Sequence, residues 1–417
     1  MTHSPNVSAL PRRDFLSRAL IAASALGAGV GYGDEPKPAD PKPIEYKRKI
    51  KWGLLGCGGR GNWLAGLFKA HGGYELYAVA DYFKDAADAT AKAHGVDESR
   101  RFTGLSGYKK MLECGIEAMM IIDVPYFYPQ QATDAVAAGI HVYVAKPVAV
   151  DVPGTLMIGA AGKEATKKQR VFLVDYQLPL EPVCIEIADR IRAGALEKMY
   201  HITSFGLAWQ AWPDPVIGEN IESRLRGEIW LSDTNLSGDT IVSYDIHIID
   251  GITWIMGKPP KSACGMSRTC RPDPHGDRTD VMTAVYEYDD GVMWSHVTQS
   301  LSNGFDIAFP TLSANFFGPK VTAHLQYGGK NVVRGGPKNF AGNCGSIYDD
   351  GAKRNIASFY TNVTEGKFEN ANVQRAVDGH LACILGREAA NRRCFLTMET
   401  LLKENKRLEV DLKGLKA

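Results

Sequence analysis

The chain has 417 residues, which is too long for one ordinary hydrophobic core, so we expect two domains. Its composition, with 45% hydrophobic and 23% charged residues, is that of a globular protein. The formal net charge of +1 argues against nucleic acid or an anionic membrane as a partner, because proteins that bind these usually carry a basic excess.

Residues 1–33 have the composition of a targeting segment. Arg12 and Arg13 stand ahead of Phe15, and a weakly apolar stretch rich in Ala and Gly follows. A charged start before a short apolar region is typical of a signal peptide. The paired arginines resemble those of twin-arginine signals, although Pro11 stands where Ser or Thr is usual. We therefore expect export to the periplasm by the twin-arginine machinery; a disordered tail with two chance arginines is the alternative.

Two further features concern the linker and the cysteines. Residues 34–48 are rich in Pro and Lys and are expected to form an extended linker. The eight cysteines contain no Cys-x-x-Cys pair, so we expect no metal site. A metal-dependent hydrolase is disfavoured because no further ligands cluster in sequence near His247 and Asp250. A disulfide between Cys264 and Cys270 in an oxidising compartment stays open.

A glycine-rich loop follows the first predicted strand. The strand covers 50–55, and a helix is expected over 62–70. The loop between them consists of Gly56, Cys57, Gly58, Gly59, Arg60 and Gly61. In a GxGxxG loop the first glycine permits the tight turn, the second lets the backbone approach a pyrophosphate, and the third lets helix and strand pack closely. The spacing therefore predicts that this loop binds a dinucleotide at the helix N-terminus.

An acidic residue at the end of the second predicted strand supports this prediction. The strand runs over 75–80, and Asp81 follows it 20 residues after Gly61, where an acid that binds ribose is expected. Such an acid accepts hydrogen bonds from both ribose hydroxyls and repels a 2′-phosphate, so NAD is favoured over NADP, although Lys84 would soften the repulsion. A turn residue at the strand end is the alternative role for Asp81.

Strands and helices continue to alternate as far as residue 145. Helices are expected over 85–94, 108–113 and 129–138, and strands over 118–123 and 141–145. This alternation predicts a parallel, doubly wound Rossmann sheet whose ligand lies beyond the carboxyl ends of its strands. Pro125 and Lys146 both fall just past such ends.

In its motifs and their order the chain resembles the glucose–fructose oxidoreductase, inositol dehydrogenase and rhizopine-catabolism family, abbreviated Gfo/Idh/MocA. The resemblance covers residues 49 to 415 and rests on Gly-Cys-Gly-Gly-Arg-Gly at 56–61, Asp81, Pro125, Ala-Gly-Ile-His-Val at 138–142, Lys146-Pro147, Asp175-Tyr-Gln177 and His247-Ile-Ile-Asp250. It implies an NAD-binding Rossmann domain, placed at 49–177. It also implies a substrate-binding α+β domain with a large, open, mostly antiparallel sheet, placed at 178–417, and a homodimer or homotetramer.

The resemblance also implies roles for individual residues. Lys146 stands where the family keeps a lysine beside the nicotinamide ring, and Pro125 is placed at the cofactor. Gln177, at the end of a predicted strand, is a further candidate for contact with the cofactor. His247 is the candidate general acid or base, because the pKa of histidine lies near working pH.

Two positions depart from the family pattern. Ala145 replaces the Glu that usually precedes the lysine, and Ser243 replaces the acid four residues before the catalytic histidine. Asp245 cannot take the place of that acid on a helix, because positions two apart do not share its face, but it stays a candidate substrate contact. Tyr244, three residues before the histidine, can face it, and Asp250, three after, can orient the imidazole.

From residue 178 the pattern changes to a helix followed by strand-like runs. A helix is expected over 182–194, strands over 200–205, 281–288, 292–298 and 321–326, and a hairpin turn at Asp289-Asp-Gly291. Trp209 and Trp212 follow a strand. Since aromatic faces pack on the C–H faces of sugars, these two are candidates for a pyranose platform; ordinary packing is the equal alternative.

Together these features predict a periplasmic, NAD-dependent oxidoreductase that acts on a secondary alcohol of a sugar or cyclitol, with Lys146 and His247 handling the hydroxyl proton. Since the periplasm holds little free NAD, we expect a cofactor that is captured before export, held tightly and recycled in one active site. Two alternatives stay open. One is an NAD-dependent glycoside hydrolase working through a transient keto-sugar; the other is a non-catalytic sugar-binding relative, to which the loss of two usual acids points.

Overall fold

The computed structural model describes residues 46, 48–208, 212–216, 220–301 and 311–417. The predicted signal at 1–33 and Trp209 lie outside the described residues, as does the predicted linker at 34–48 apart from residues 46 and 48. None of the described helices combines the length and the apolar character needed to cross a bilayer.

Cys264 and Cys270 are exposed free thiols, so the disulfide left open between them is not formed.

The first part of the chain builds a six-stranded parallel sheet. Its strands are β1 (Ile50–Leu55), β2 (Tyr74–Asp81), β3 (Arg101–Thr103), β4 (Ala118–Ile121), β5 (His141–Val144) and β6 (Phe172–Val174). Their order across the sheet is β3-β2-β1-β4-β5-β6, and every neighbouring pair is parallel. All six strands therefore end at one edge, and the strand order reverses between β1 and β4, where such sheets open a crevice for a ligand.

Helices cover both faces of this sheet, which explains why its strands are apolar on both sides. They include α1 (Gly59–His71), α2 (Lys84–His94), α3 (Gly107–Glu113), α4 (Tyr128–Ala137) and α5 (Val152–Lys167). Ile50, Trp52 and Leu54 of β1 belong to one core cluster with Phe68 of α1, whereas Leu55 belongs to a second cluster on the other face.

The remaining described helices belong to the second half of the chain. They are α6 (Pro182–Arg192), α7 (Ile221–Arg224), α8 (Thr234–Ser237), α9 (Thr240–Ser243), α10 (Ile246–Met256), α11 (Ile347–Glu365), α12 (Asn372–Arg392) and α13 (Met398–Glu404). Two of them return to the first sheet. The Tyr74 hydroxyl of β2 donates a hydrogen bond to the Ile356 carbonyl at 2.6 Å, and Asn372 Nδ2 donates to the Val174 carbonyl of β6 at 3.1 Å.

A second, nine-stranded sheet forms from the described residues of the second half. Its strands are β7 (His201–Ala208), β8 (Ser262–Arg268), β9 (Val281–Glu287), β10 (Met293–Ser300), β11 (Leu312–Phe317), β12 (Thr322–Gln326), β13 (Gly329–Arg334), β14 (Phe340–Cys344) and β15 (Leu396–Thr397), in the order β14-β13-β12-β11-β7-β10-β9-β8-β15. Only β7 and β10 pair in parallel; the other neighbours in it are antiparallel. The predicted fold class is confirmed.

Local signals set the register of this sheet. Glu287 of β9 pairs with Met293 of β10 across the predicted Asp289-Asp-Gly291 turn, where Gly291 has a φ of +81°, so the hairpin is confirmed. Along β9, buried Ala284 and Tyr286 alternate with exposed Val285. The sheet therefore has one face packed on helices and one open face.

Candidate active site

The predicted cofactor-binding residues lie at the carboxyl edge of the first sheet. The glycine-rich loop follows β1, Asp81 ends β2, and Lys146 lies just past β5. Pro125 opens a short 3-10 helix, Pro125–Phe127, after β4, and Gln177 lies three residues past the end of β6. Because parallel strands end at the same edge, residues far apart in sequence become neighbours here.

The glycines of the loop divide between close packing and open space. Gly56 has a φ of +100°, and a Cβ added there would lie 2.5 Å from the Ile122 carbonyl oxygen. A Cβ added at Gly61 would lie 2.0 Å from the Gly56 carbonyl oxygen, so both positions demand glycine. Cβ atoms at Gly58 and Gly59 would meet nothing within 4 Å. Helix α1 begins at Gly59 without a side-chain cap, so the loop and helix end leave room and N–H groups that fit a pyrophosphate.

Asp81 is tied to this loop by its carboxylate. Oδ2 accepts a hydrogen bond from the Cys57 backbone N–H at 2.7 Å, and Oδ1 accepts one from the Phe83 N–H at 2.8 Å. Burial raises the pKa of Asp81 above its ordinary value, although these two bonds oppose the rise. Cys57 is itself buried, with Sγ 3.6 Å from the Ala80 carbonyl oxygen. The acid is thus in place at the strand end, and its role toward a ribose stays a prediction.

Lys146 reaches across to the second half of the chain. Its Nζ donates a hydrogen bond to the Ser243 carbonyl oxygen at 2.7 Å. Burial, with the positive charge of Arg60 as the next cause, lowers the pKa of Lys146 to about 7. An amine with a pKa near neutrality can both take and give a proton under working conditions, as a general acid or base must.

His247 lies in the first turn of α10, beside Tyr327. The two ring centroids are 5.0 Å apart, and Nδ1 of the imidazole has no hydrogen-bond partner among the described residues. Burial lowers the pKa of His247 well below its ordinary value, and the positive charges of Lys146 and Arg60 lower it further. The predicted titration near working pH is therefore corrected: His247 is a neutral imidazole, suited to giving or accepting a hydrogen bond.

The predicted orienting role of Asp250 is also corrected. Asp250 Oδ1 accepts a hydrogen bond from Arg375 Nε at 2.9 Å, and Oδ2 has no partner in the described part of the chain. The carboxylate therefore faces α12 rather than the imidazole of His247. Burial raises the pKa of Asp250 to about 6, and Arg375 opposes that rise. Asp250 and Arg375 form a structural pair between α10 and α12.

Asp245 and Tyr244 point in different directions from the same short turn. Asp245 is fully buried and faces the second sheet, where Oδ2 accepts from His296 Nε2 at 2.9 Å and from the Thr298 hydroxyl. The predicted substrate contact by Asp245 is thus corrected. Tyr244 lies on the other side, with its ring centroid 6.4 Å from that of Trp212, and burial raises the pKa of its hydroxyl to about 12.

Comparison with known proteins finds a family model that matches part of the second half. The sequence model of the GFO/IDH/MocA C-terminal domain matches residues 185–322. An uncharacterized oxidoreductase of Synechocystis sp. is 22% identical over 202 residues, which are 48% of this chain and 50% of that protein. The match thus spans only half of that relative's length.

Solved structures share the fold over most of the chain. Aldose-aldose oxidoreductase from Caulobacter crescentus, solved with glycerol, has a TM-score of 0.67 at 16% identity, over 84% of this chain and all (100%) of that one. Levoglucosan dehydrogenase, solved with NADH and levoglucosan, has a TM-score of 0.68 at 15% identity, over 84% of this chain and 100% of that one. Myo-inositol 2-dehydrogenase from Lactobacillus plantarum has a TM-score of 0.64 at 18% identity, over 84% of this chain and 99% of that one. The predicted Gfo/Idh/MocA resemblance is confirmed at the level of fold.

The side chain of Arg60, a residue of the glycine loop, makes long-range contacts that the sequence did not indicate. Its guanidinium lies over the rings of Trp63 and Tyr348, at 5.2 and 4.7 Å from their centroids, and Nη2 donates to Asp175 Oδ2 at 3.1 Å. Nε is buried without a partner among the described residues. The cation thus extends from the glycine loop toward Lys146, whose pKa it lowers.

A buried network fixes Arg60 and a second one fixes Tyr327. Asp175 Oδ1 accepts from the Tyr143 hydroxyl at 2.7 Å and from Asn355 Nδ2 at 2.8 Å. Gln177 Oε1 accepts from the Tyr327 hydroxyl at 2.7 Å, so Gln177 positions the ring that packs on His247. The sequence analysis had already singled out Asp175 and Gln177 near the end of a predicted strand, but neither Asn355 nor Tyr327 carries a local signal.

Both departures from the Gfo/Idh/MocA pattern are buried. Ala145 is part of the hydrophobic core at the end of β5. Ser243 supplies the carbonyl that binds Lys146, and its hydroxyl oxygen has no hydrogen-bond partner within the described ranges. Trp212 Nε1 is likewise buried and without a described partner. The site therefore keeps several polar atoms that no described part of the protein satisfies.

Proposed function

We propose that the chain is a nicotinamide-dependent oxidoreductase that acts on a secondary alcohol of a sugar, glycoside or cyclitol. The observation that carries the proposal is Lys146, which lies at the carboxyl edge of a dinucleotide-type sheet with a pKa lowered to about 7. A proton-transferring amine next to the expected position of a nicotinamide is what oxidation of an alcohol requires.

The cofactor is proposed to be NAD. The open side of Gly58 and the uncapped start of α1 suit a pyrophosphate, and Asp81 suits the ribose hydroxyls. Levoglucosan dehydrogenase, which shares the fold, was solved with NADH. When bound, the nicotinamide supplies the hydride acceptor for oxidation and the hydride donor for reduction. NADP is disfavoured because a 2′-phosphate would face the carboxylate of Asp81.

Lys146 and the residues around it have different roles toward the substrate hydroxyl. Lys146 takes the hydroxyl proton in oxidation and returns it in reduction. His247, neutral and with Nδ1 free of described partners, binds the same oxygen or a neighbouring hydroxyl. Gln177 and Tyr327 keep the imidazole in place. Burial keeps the pKa of Lys146 low, and the positive charge of Arg60 lowers it further.

A polyhydroxylated substrate fits the unsatisfied atoms of the site. Nδ1 of His247, the hydroxyl of Ser243, Nε1 of Trp212 and Nε of Arg60 are buried and lack described partners. Buried donors and acceptors are costly when unpaired, so a ligand that carries several hydroxyl groups would satisfy them. The indole of Trp212 beside Tyr244 offers an apolar face for the C–H side of a sugar ring. We therefore favour a sugar or cyclitol over an aliphatic alcohol.

We further propose that the enzyme works in the periplasm with a retained cofactor. The support is the arginine pair and apolar stretch within residues 1–33, and the scarcity of free NAD outside the cytoplasm. Aldose-aldose oxidoreductase, another protein with this fold, carries two sugar substrates in its name. Intact mass and N-terminal sequencing of protein from the periplasmic fraction test the location: a processed chain there supports export, and an unprocessed cytoplasmic chain contradicts it.

A homodimer or homotetramer is proposed through the open face of the second sheet. Met266, Val285 and Met293 are exposed on β8, β9 and β10, which is unusual for apolar side chains that stay in water. Light scattering on the purified protein, alone and with Val285→Lys, checks this. A monomer at micromolar concentration would contradict it.

Single-turnover reduction of the bound cofactor by a panel of sugars and cyclitols tests the proposed function. The expected result is formation of NADH with at least one compound, and its loss in Lys146→Ala. Release of an aglycone without net NADH would favour the glycoside hydrolase. Binding of a sugar by calorimetry, with no change in the nucleotide across the panel, would favour the non-catalytic relative.

A further inference from the structure

The C-terminal segment of the chain returns to the carboxyl edge of the first sheet. After α13, the Leu408 N–H donates to Asp151 Oδ2 at 2.8 Å. Near the end of the chain, the Lys416 carbonyl accepts from the Leu105 N–H at 3.0 Å, and the Lys416 N–H donates to the Tyr82 hydroxyl at 3.1 Å. The last residues are therefore bonded to the loops that follow β2 and β3.

A segment of the second half meets the C-terminal segment at this place. Residues 221–232 and 408–417, which we call the cover, pack together around the ends of β2, β3 and β4. The cluster consists of buried Tyr82, Val124, Leu225 and Leu236, with Phe83, Leu105, Tyr126, Phe127, Ile221, Trp230, Val410 and Leu415 partly buried around them. It is separate from the two main cores, so its apolar contacts serve to hold the cover on the sheet edge.

The position of Asp81 indicates where the adenosine half of a dinucleotide would lie relative to the cover. If Asp81 binds the ribose of a dinucleotide, the adenine on the same ribose must lie within a few ångströms, among the loops after β2, β3 and β4. A cleft of about 770 Å³ opens at this place, lined by Phe83 and Lys84 from the first half and by Glu222, Arg226 and Lys416 from the cover. Its volume is in the range of small-ligand sites.

Arg226 is the part of the cover best placed to touch a base. Its guanidinium carbon lies 4.0 Å from the centroid of the Phe83 ring, and Nη1 and Nη2 donate to the two Asp85 carboxylate oxygens at 2.8 and 3.1 Å. The group is thereby held flat and fixed, yet 55% of the side chain is exposed toward solvent and the cleft. A planar guanidinium held in this way is a stacking surface for an aromatic base.

We propose that the cover encloses the adenosine half of the bound dinucleotide, with Arg226 stacking on the adenine, and that it slows release of the cofactor. The proposal rests on the proposed function and deepens it. It assigns retention to the cover, whose apolar contacts are with the loops after β2, β3 and β4.

Stopped-flow measurement of NADH dissociation from the mature, full-length protein tests the proposal. Leu415→Asp weakens the apolar docking of the C-terminal segment, and Arg226→Ala removes the stacking surface while leaving that docking intact. Glu409→Ala, on the exposed side of the same segment, is the matched control. We expect each of the first two variants to raise the dissociation rate by about tenfold or more, and the control to leave it unchanged.

Ligand fragments locate the effect. The affinity of ADP-ribose should fall in Leu415→Asp and Arg226→Ala, and that of nicotinamide mononucleotide should not. Equal NADH dissociation rates in all variants, each with a wild-type melting temperature, overturn the proposal while the proposed function stands. Tighter NADH binding after Leu415→Asp also overturns it, since the cover would then block the site. Failure of the wild-type protein to bind any dinucleotide overturns the proposed function as well.

Discussion

The carboxyl edge has a reaction end, around His247 and Ser243, and an adenosine end beneath the cover. The two ends differ in whether their polar groups have hydrogen-bond partners. At the reaction end, His247 Nδ1 and the Ser243 hydroxyl are buried without described partners. At the adenosine end, the charged side chains pair with one another: Arg226 with Asp85, Lys84 with Asp88, and Lys416 with Glu222. An unpaired buried polar group costs about 1–3 kcal/mol, whereas exposed ion pairs contribute little. The reaction end is thus built to be completed by a ligand, and the adenosine end is complete before one arrives.

The largest expected effect is at the reaction end. Lys146→Ala should lower the single-turnover rate of alcohol oxidation by about a thousandfold, since it removes the proposed general acid or base. NAD binding should be retained, because the glycine loop and Asp81 are untouched. Stopped-flow absorbance measures the rate, and fluorescence titration measures the binding. Lys84→Ala is the control for removing a lysine at the other end, and an equal loss of rate there would break the comparison.

The next effect concerns the open side of the glycine loop. Gly58→Val should weaken NAD binding by about a hundredfold, because the added side chain enters the space proposed for the pyrophosphate. The melting temperature should change little, since a Cβ there meets no protein atom within 4 Å. Gly66→Ala is the matched control: its Cβ also meets nothing within 4 Å, but it lies inside α1. If both variants bind NAD like the wild type, the assignment of the loop is wrong.

A pH profile sharpens the assignment of Lys146. The neutral amine is the form that accepts the hydroxyl proton, and its pKa is lowered to about 7. Oxidation in single turnover should therefore fall about tenfold for each pH unit below 7 and level off above it, while reduction should show the opposite trend. His247, whose pKa lies well below its ordinary value, should add no step between pH 6 and 8. A profile without a step near 7 would exclude Lys146 as the titrating group.

The smallest of these effects is on cofactor choice. Asp81→Ala should weaken the binding of NAD about tenfold and the binding of NADP by less, because the carboxylate that binds the ribose hydroxyls and repels a 2′-phosphate is removed. The ratio of the two dissociation constants, from fluorescence titration, measures this selectivity. The Cys57 N–H loses its partner as well, so the melting temperature of the variant should be followed. An unchanged ratio would mean that Asp81 serves the turn alone.

Sequence patterns predicted the parts of the molecule that depend on local spacing. The strand, glycine loop and helix over 50–71, the acid at Asp81 and the hairpin at Asp289-Asp-Gly291 follow rules that act over a few residues. The partners of Asp250 and Arg60 do not. Asp250 binds Arg375, 125 residues away, and Arg60 binds Asp175, 115 residues away.

The cover was missed for the same reason. Leu415 and Lys416 follow a short helix and carry no motif, and only the folded chain brings them to Tyr82, 334 residues from Lys416 in sequence. His247 was predicted as a site residue from its motif, but its pKa depends on burial and on Lys146 and Arg60, which no linear pattern records. Local motifs thus predict where a ligand binds. Long-range packing determines the protonation state of the site residues and how the cofactor site is covered.

Identification of the nucleotide that leaves the denatured protein is the most direct test of the account. The mature chain is purified without added cofactor, unfolded, and its released small molecules are analysed by mass spectrometry. We predict NAD or NADH at close to one equivalent, held by the loop at 56–61 and retained by the cover. Absence of any nucleotide, together with no binding of added NAD in titration, would contradict the account.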